Sequence, residues 1–161
     1  MKTRLLMLLP VLACVAAQTY SPSPEEKLKM GTAVIASATN EYRGTNYLAE
    51  LNWAEIRDSP AWDGDEKPPL STSKAESVAG VYLEKRLGRP GTINLIQSSA
   101  QSGDSLPPWM PLEVAIHRFY GSKLWFYEVK LQPLIGGSYN WPSITVFVSM
   151  SGQVAPLRVL N

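Results

Sequence analysis

The chain has 161 residues, with 15 Lys and Arg against 14 Asp and Glu, and 45% of its residues are hydrophobic. This length suits one domain, and the apolar fraction is too high for a disordered chain. A formal charge of +1 excludes a polycation that binds nucleic acid through a concentrated basic surface.

The first 17 residues have the pattern of an export signal. Lys2 and Arg4 precede an apolar stretch, and Val15-Ala16-Ala17 supplies the small residues that a leader peptidase recognises. The apolar stretch is shorter than the about 20 residues that a transmembrane helix needs. We therefore expect a signal peptide over residues 1–17 and an exported protein, periplasmic or extracellular, without a membrane span.

Cys14, the single cysteine of the chain, leaves a second possibility open. Val11-Leu12-Ala13-Cys14 resembles the motif at which bacterial lipoproteins are lipidated, so the alternative is a lipoprotein anchored through Cys14. In both cases the folded domain has no cysteine, which excludes a disulfide, a zinc-thiolate site and a cysteine nucleophile within it.

Residues 18–31 are expected to form a flexible spacer and a short helix. Ser23-Pro24-Glu25-Glu26 combines a serine cap, a proline at the first helical position and a glutamate three residues after the cap. A single domain is expected over residues 32–161, and periodicity leaves open whether Thr32–Thr39 is strand or helix.

Alternation with a period of two predicts a strand near Tyr47–Ala54 with one buried face. An acidic loop with prolines follows and leads into the strongest helical pattern, Ser73–Leu87. Ser73 and Glu76 fit a capping box, and Gly88 fits the position that ends a helix. Apolar residues at helical spacing form one stripe: Ala75, Val78, Ala79, Tyr82 and Leu83.

Three strand-like runs follow, Leu112–Tyr120, Leu124–Leu131 and Ser143–Met150, and their short connections predict an antiparallel meander. One parity of these runs can face the helix: Val114, Ile116, Trp125, Tyr127, Val129, Ile144, Val146 and Val148. Val154–Leu160 adds an edge segment, whereas the pattern of Gly91–Pro108 does not settle its structure. The predicted fold class is α+β, with one main helix packed on an antiparallel sheet of three to five strands.

These elements resemble a family of small exported bacterial proteins of unknown function and, more loosely, PepSY-like domains. The resemblance covers Pro68 to Val154 and lies in Pro68-Pro69-Leu70-Ser71 before a helix, in Leu124-Trp125-x-Tyr127-x-Val129, and in Met150-Ser151-Gly152-Gln153-Val154. It implies a PepSY-like or cystatin-like arrangement and a role in binding or modulation at the cell envelope. It implies no catalytic residue.

His117 is the only histidine, and strand parity places it on the face opposite to the helix with Glu128 as its carboxylate neighbour. A hydrolase or lyase of unfamiliar design would combine this pair with a Ser or Tyr, but no Gly-x-Ser-x-Gly elbow occurs. Ser71-x-x-Lys74 has the spacing seen in penicillin-recognising enzymes without their companion motifs, so helix capping explains it better. These patterns favour a protein that is not an enzyme.

Metal and cofactor motifs are weak. Four acidic residues crowd one loop without the spacing of a calcium loop: Asp58, Asp63, Asp65 and Glu66. One histidine without a cysteine in the domain is too few for a usual zinc site, and no phosphate-binding glycine motif occurs. We expect no metal and no cofactor.

The second face of the sheet is the most informative feature. It carries all three phenylalanines of the chain beside two polar residues: Phe119, Phe126, Phe147, His117 and Glu128. An apolar face must be covered, either by the chain's own segments Thr32–Trp53 or Gly91–Pro108, or by a partner. We predict a non-catalytic module that binds another exported protein or a peptide, and no nucleic acid, through these five residues. An architectural homodimer built on this face stays an alternative, and the oligomeric state does not follow from the sequence.

Overall fold

The computed structural model describes residues 23–29, 31–88, 108–133 and 142–161. The predicted signal peptide, Cys14 and residues 91–107 lie outside this part of the chain. The helices are α1 (Pro24–Lys29), α2 (Trp53–Ile56) and α3 (Thr72–Leu87). The strands are β1 (Val34–Tyr42), β2 (Thr45–Asn52), β3 (Trp109–Arg118), β4 (Trp125–Pro133), β5 (Ile144–Ser149) and β6 (Leu157–Val159).

Two antiparallel sheets of three strands each have the orders β1-β2-β6 and β3-β4-β5, and α3 packs on the second of them. The predicted α+β class with one main helix on an antiparallel sheet is confirmed. The N-terminal strands differ from the prediction of a single sheet, because they pair with β6 instead of extending the meander. None of the helices in the described ranges has the length and apolar character needed to cross a membrane.

The N-terminal elements follow local signals. Ser23 and Glu26 form the predicted capping box of α1, with the Ser23 N–H 2.8 Å from Glu26 Oε2 and the Glu26 N–H 3.2 Å from Ser23 Oγ. The segment that periodicity left open is strand β1. Its hairpin with β2 turns through Arg43 and Gly44, whose φ angles of 53° and 75° are those of a tight turn that matches the strand twist.

Helix α3 starts one residue earlier than predicted, and its cap is Ser71 instead of Ser73. The Lys74 N–H donates to Ser71 Oγ at 3.3 Å, which occupies one of the free amides of the first turn. Leu70, immediately before the cap, accepts a hydrogen bond from the Tyr127 hydroxyl. This tertiary contact holds the chain at the point where the helix begins, which explains why the earlier serine is the cap.

The register of the C-terminal sheet confirms the predicted parity. Val114 is opposite Val129, and Val129 is opposite Val146, so one row of the helix-facing side crosses all three strands. Against this side α3 places its predicted stripe, in which three residues are fully buried: Ala75, Ala79 and Leu83. The main core therefore lies between α3 and the β3-β4-β5 sheet.

The outer edge of β5 is occupied along its length. The Ala155 N–H donates to the Phe147 carbonyl, and the Ser149 N–H donates to the Gln153 carbonyl, both at 2.9 Å. Asn40 of β1 binds Thr145 from the other sheet: its amide nitrogen is 3.0 Å from the Thr145 carbonyl and its amide oxygen 2.7 Å from the Thr145 N–H. Because β6 then pairs with β2, the C-terminal segment joins the two sheets.

Candidate functional site

The structure brings His117 and Glu128 together on the second face of the sheet. They are diagonal neighbours on β3 and β4, and His117 Nε2 lies 3.0 Å from Glu128 Oε2. Both side chains are about two-fifths exposed, at 43% and 42%. Nε2 is not aligned for a hydrogen bond, so the contact is one of charge when the imidazole is protonated.

The phenylalanines of this face are placed unequally. The His117 ring stacks on Phe126 at 5.3 Å between centroids, and Phe126 meets the edge of Phe147 at 6.0 Å. Phe126 and Phe147 are only 6% and 3% exposed, so these two predicted binding residues belong to the core. Phe119 is half-buried, with its ring 5.6 Å from that of Trp53.

Phe126 and Phe147 are buried because the N-terminal sheet packs beside them. Strands β1 and β2 pack beside β5, and Trp53 follows directly after β2. The chain's own N-terminal part therefore covers part of this face. The sequence predicts this covering by Thr32–Trp53 as one alternative to covering by a partner. Of the five predicted residues, only His117, Phe119 and Glu128 keep exposed surface.

Ser149, the serine in the same cross-strand row as His117, is not placed to act as its nucleophile. His117, Phe126 and Ser149 form one row across three strands, and neighbouring strands are about 4.8 Å apart, so Ser149 lies about 10 Å from His117 behind a phenyl ring. The Ser149 hydroxyl is buried, 2.8 Å from Ser151 Oγ, and accepts the Gln153 N–H. His117, Glu128 and Ser149 therefore do not form a hydrolytic triad.

The β3–β4 hairpin carries a feature that sequence reasoning missed. Tyr120 at its tip is 97% exposed. Ser122 orders the turn, since its hydroxyl donates to the Phe119 carbonyl at 2.9 Å and accepts the Leu124 N–H at 3.0 Å. Strand alternation does not report on turn residues, and the available signal was an aromatic residue next to Gly121 in a short connection.

Trp62, Trp109 and Trp125 anchor the fold through ring and indole contacts. The Trp125 indole N–H donates to the Trp62 carbonyl at 2.7 Å, and the two rings are 4.8 Å apart. Trp109 is buried against Tyr42 at 5.5 Å, and Trp141 lies outside the described residues. These contacts make Trp62 a loop anchor instead of a ligand contact.

Two acidic residues of the loop form ion pairs with basic side chains. Asp63 lies 2.6 Å from Lys123 and Asp58 lies 3.4 Å from Arg57. In the ranges that the structure describes, no three His, Cys, Asp or Glu side chains are grouped so as to hold a metal ion. Ser71 and Lys74, with the spacing of a serine-lysine pair, meet as a helix cap.

Tyr127 has a clearly shifted pKa, and it lies on the helix-facing side of the sheet, away from the His117–Glu128 pair. Burial raises the pKa of Tyr127 above its ordinary value, while a side-chain hydrogen bond with Thr72 lowers it by less. The Tyr127 phenol also donates to the Leu70 carbonyl. Its role is therefore to fix the start of α3 against β4.

Fold and site together define an α+β protein with two antiparallel sheets, an exposed His–Glu pair and an ordered hairpin that presents a tyrosine. No protein-family model matches the chain, and comparisons with curated proteins and with solved structures gave no match. The PepSY-like resemblance therefore stays a prediction. The functional argument rests on the residues of this chain.

Proposed function

We propose that the protein is an exported, non-catalytic module that binds another exported protein or a peptide through the tip of its β3–β4 hairpin. The binding surface, called here the hairpin patch, consists of His117, Phe119, Tyr120 and Glu128. The observation that carries the proposal is the 97% exposure of Tyr120 on a turn that Ser122 orders. Export rests on the leader pattern of residues 1–17, with lipidation at Cys14 as the alternative.

An ordered, exposed tyrosine suits recognition for two reasons. Tyrosine is among the residues that contribute most binding energy at protein interfaces, because its ring buries a large area and its hydroxyl can form a hydrogen bond. A turn that is already fixed also loses little conformational entropy when a partner binds. The exposed ring makes no comparable contribution to the stability of the fold.

The other members of the patch supply polar and apolar contacts near the tyrosine. His117 and Glu128 offer a polar pair on the two strands of the same hairpin, and Phe119 adds the exposed part of its ring. Charged groups around an apolar contact favour one partner over others more than they add affinity. The hairpin patch therefore has the composition of a small recognition surface.

The binding role is tested with a displayed peptide library selected against residues 18–161, the mature chain expected if the predicted signal peptide is removed. Peptides selected by the wild type should bind Tyr120→Ser at least about tenfold more weakly, equivalent to about 1.4 kcal/mol. Val81→Ser, which also removes an exposed apolar side chain but from α3, is the matched control and should bind as the wild type does. Failure to select any peptide, or equal binding by Tyr120→Ser, would contradict the proposal.

A further inference from the structure

Strand β3 is the edge strand of the C-terminal sheet. Strand β4 pairs with one side of it, and no segment of the described chain pairs with the other. The two outer strands of this sheet thus differ, since the opposite edge, on β5, is bonded to Asn40 and to residues 153–155. An open strand edge presents unpaired N–H and C=O groups to any second strand.

The hydrogen-bond pattern shows which residues of β3 present these groups. The Phe119 N–H donates to the Leu124 carbonyl at 2.9 Å, so the backbone of Phe119 points toward β4. The backbone N–H and C=O groups of successive strand residues point to opposite sides, so His117 and Ala115 point toward β4 as Phe119 does. Val114 and Ile116 therefore direct their N–H and C=O groups to the open edge. Ile116 is also an exposed aliphatic residue, at 38%.

The sequence of this edge is complementary to itself. In an antiparallel pair centred on Ala115, Val114 lies opposite Ile116 of the second copy, and both have outward backbone groups, as a hydrogen-bonded pair requires. The two small Ala115 side chains meet at the two-fold axis. The pairing buries Ile116 against Val114 of the second copy, on the helix-facing side of the sheet.

The charged residues on the sheet face opposite to the helix favour the same register, centred on Ala115. Glu113 lies opposite His117 of the second copy, and each already has a partner of opposite charge in its own chain: Lys130 is 3.9 Å from Glu113, and Glu128 is 3.0 Å from His117. Lys130 and Glu113 of one copy are then followed by His117 and Glu128 of the second copy. Their charges alternate in sign along this row when the imidazole is protonated. A shift of two residues in either direction removes this match, because Ala115 then lies opposite Glu113 or His117.

We propose that two copies of this chain pair through β3 about a two-fold axis at Ala115, so that their C-terminal sheets form one continuous sheet. The regular ladder runs from Glu113 to His117, since the register shift between Pro111 and Glu113 ends it on one side. This contact is small compared with the about 1,200–2,000 Å² of a standard interface, so the dimer is weak and depends on concentration. The proposal does not rest on the binding role of Tyr120.

Sedimentation velocity of the mature chain from about 10 μM to about 1 mM tests the dimer, since weak interfaces associate in this range. The wild type should shift from monomer to dimer, and Ile116→Lys should stay monomeric because it would bury a charge in the contact. Val81→Lys places the same charge at an exposed position of α3 and should dimerise as the wild type does. A wild-type monomer throughout, or a dimer of Ile116→Lys, would overturn the proposal.

A charge exchange tests the register. Glu113→Lys and His117→Glu should each weaken self-association at least about tenfold, because the first removes the acidic residue opposite His117 and the second places a glutamate opposite Glu113. An equimolar mixture of the two variants should associate again, since the introduced lysine of one variant then faces the introduced glutamate of the other. Thermal unfolding of each variant checks that it is folded, and a mixture that associates no better than its components would refute the register.

Discussion

Asn40 acts at the scale of a single residue as a substitute for a strand neighbour. Its amide carries one donor and one acceptor, the same pair that a backbone presents, and it binds both the carbonyl and the N–H of Thr145. Asn40 is itself buried, so water cannot replace these bonds easily. One side chain thereby joins the edge of β5 to the N-terminal sheet, across 105 positions of sequence.

We predict that Asn40→Ala lowers the free energy of unfolding by about 2–3 kcal/mol, because it leaves the N–H and the carbonyl of Thr145 without their partner. Urea denaturation followed by circular dichroism measures the change. Asn46→Ala removes the same amide from an exposed position of β2 and should change the stability by less than about 0.5 kcal/mol. Equal losses in the two variants would show that the Thr145 contact is not what Asn40 contributes.

Two serines compete for the start of the main helix at the scale of the element. Ser71 caps α3 in the structure, whereas Ser73 lies in the first turn and is exposed. Ser71→Ala should therefore cost about 1 kcal/mol of stability, while Ser73→Ala should be neutral or slightly stabilising because alanine favours helix. Urea denaturation of the two variants gives the comparison, and a larger loss for Ser73→Ala would place the cap where the sequence pattern predicted it.

The elements that sequence reasoning predicted well are those with strong short-range patterns. The period of two residues placed Val114, Tyr127 and Val146 on one face, and the registers of β3, β4 and β5 agree. The end of α3 at Leu87 followed from Gly88, whose φ of 80° is natural for glycine. The start of α3 was misplaced because the contact between Leu70 and Tyr127 joins residues 57 positions apart, which local pattern does not reveal.

The candidate site was predicted only in part, for a related reason. Parity correctly placed His117 and Glu128 on one face, and their 3.0 Å contact follows from that placement. Parity does not tell what packs against a face, so it could not separate the buried Phe126 and Phe147 from the half-buried Phe119. The partners of β1 and β6 depend on contacts between distant segments, which hydrophobic periodicity does not encode.

The whole molecule is held together by contacts that join separate layers. The C-terminal segment bonds first to the edge of β5 through Ala155 and then to β2 through Leu157, so it links the two sheets. The Tyr82 hydroxyl of α3 accepts the Leu157 N–H at 2.7 Å, which ties the helix to the same segment. At the other end of α3, Tyr127 fixes the helix start to the centre of the sheet. Stability should therefore respond to these links as a single cooperative unit.

The shifted pKa of Tyr127 makes the stability of the folded protein depend on pH. Burial raises its pKa in the folded protein, so above about pH 10 the unfolded chain loses the phenolic proton while the folded chain still holds it. The folded state then binds more protons than the unfolded state, and the free energy of unfolding falls as the pH rises, by at most about 1.4 kcal/mol per pH unit from this group.

Tyr127→Phe isolates this contribution, because the remaining titratable groups are common to both proteins. At pH 8 the variant should be less stable than the wild type, since it lacks the hydrogen bond to Leu70. The difference should shrink from pH 10 to pH 11, as the wild type alone loses the contribution of Tyr127. Urea denaturation at each pH gives the two curves, and curves that stay parallel above pH 10 would show that the phenol titrates alike in the folded and unfolded chains.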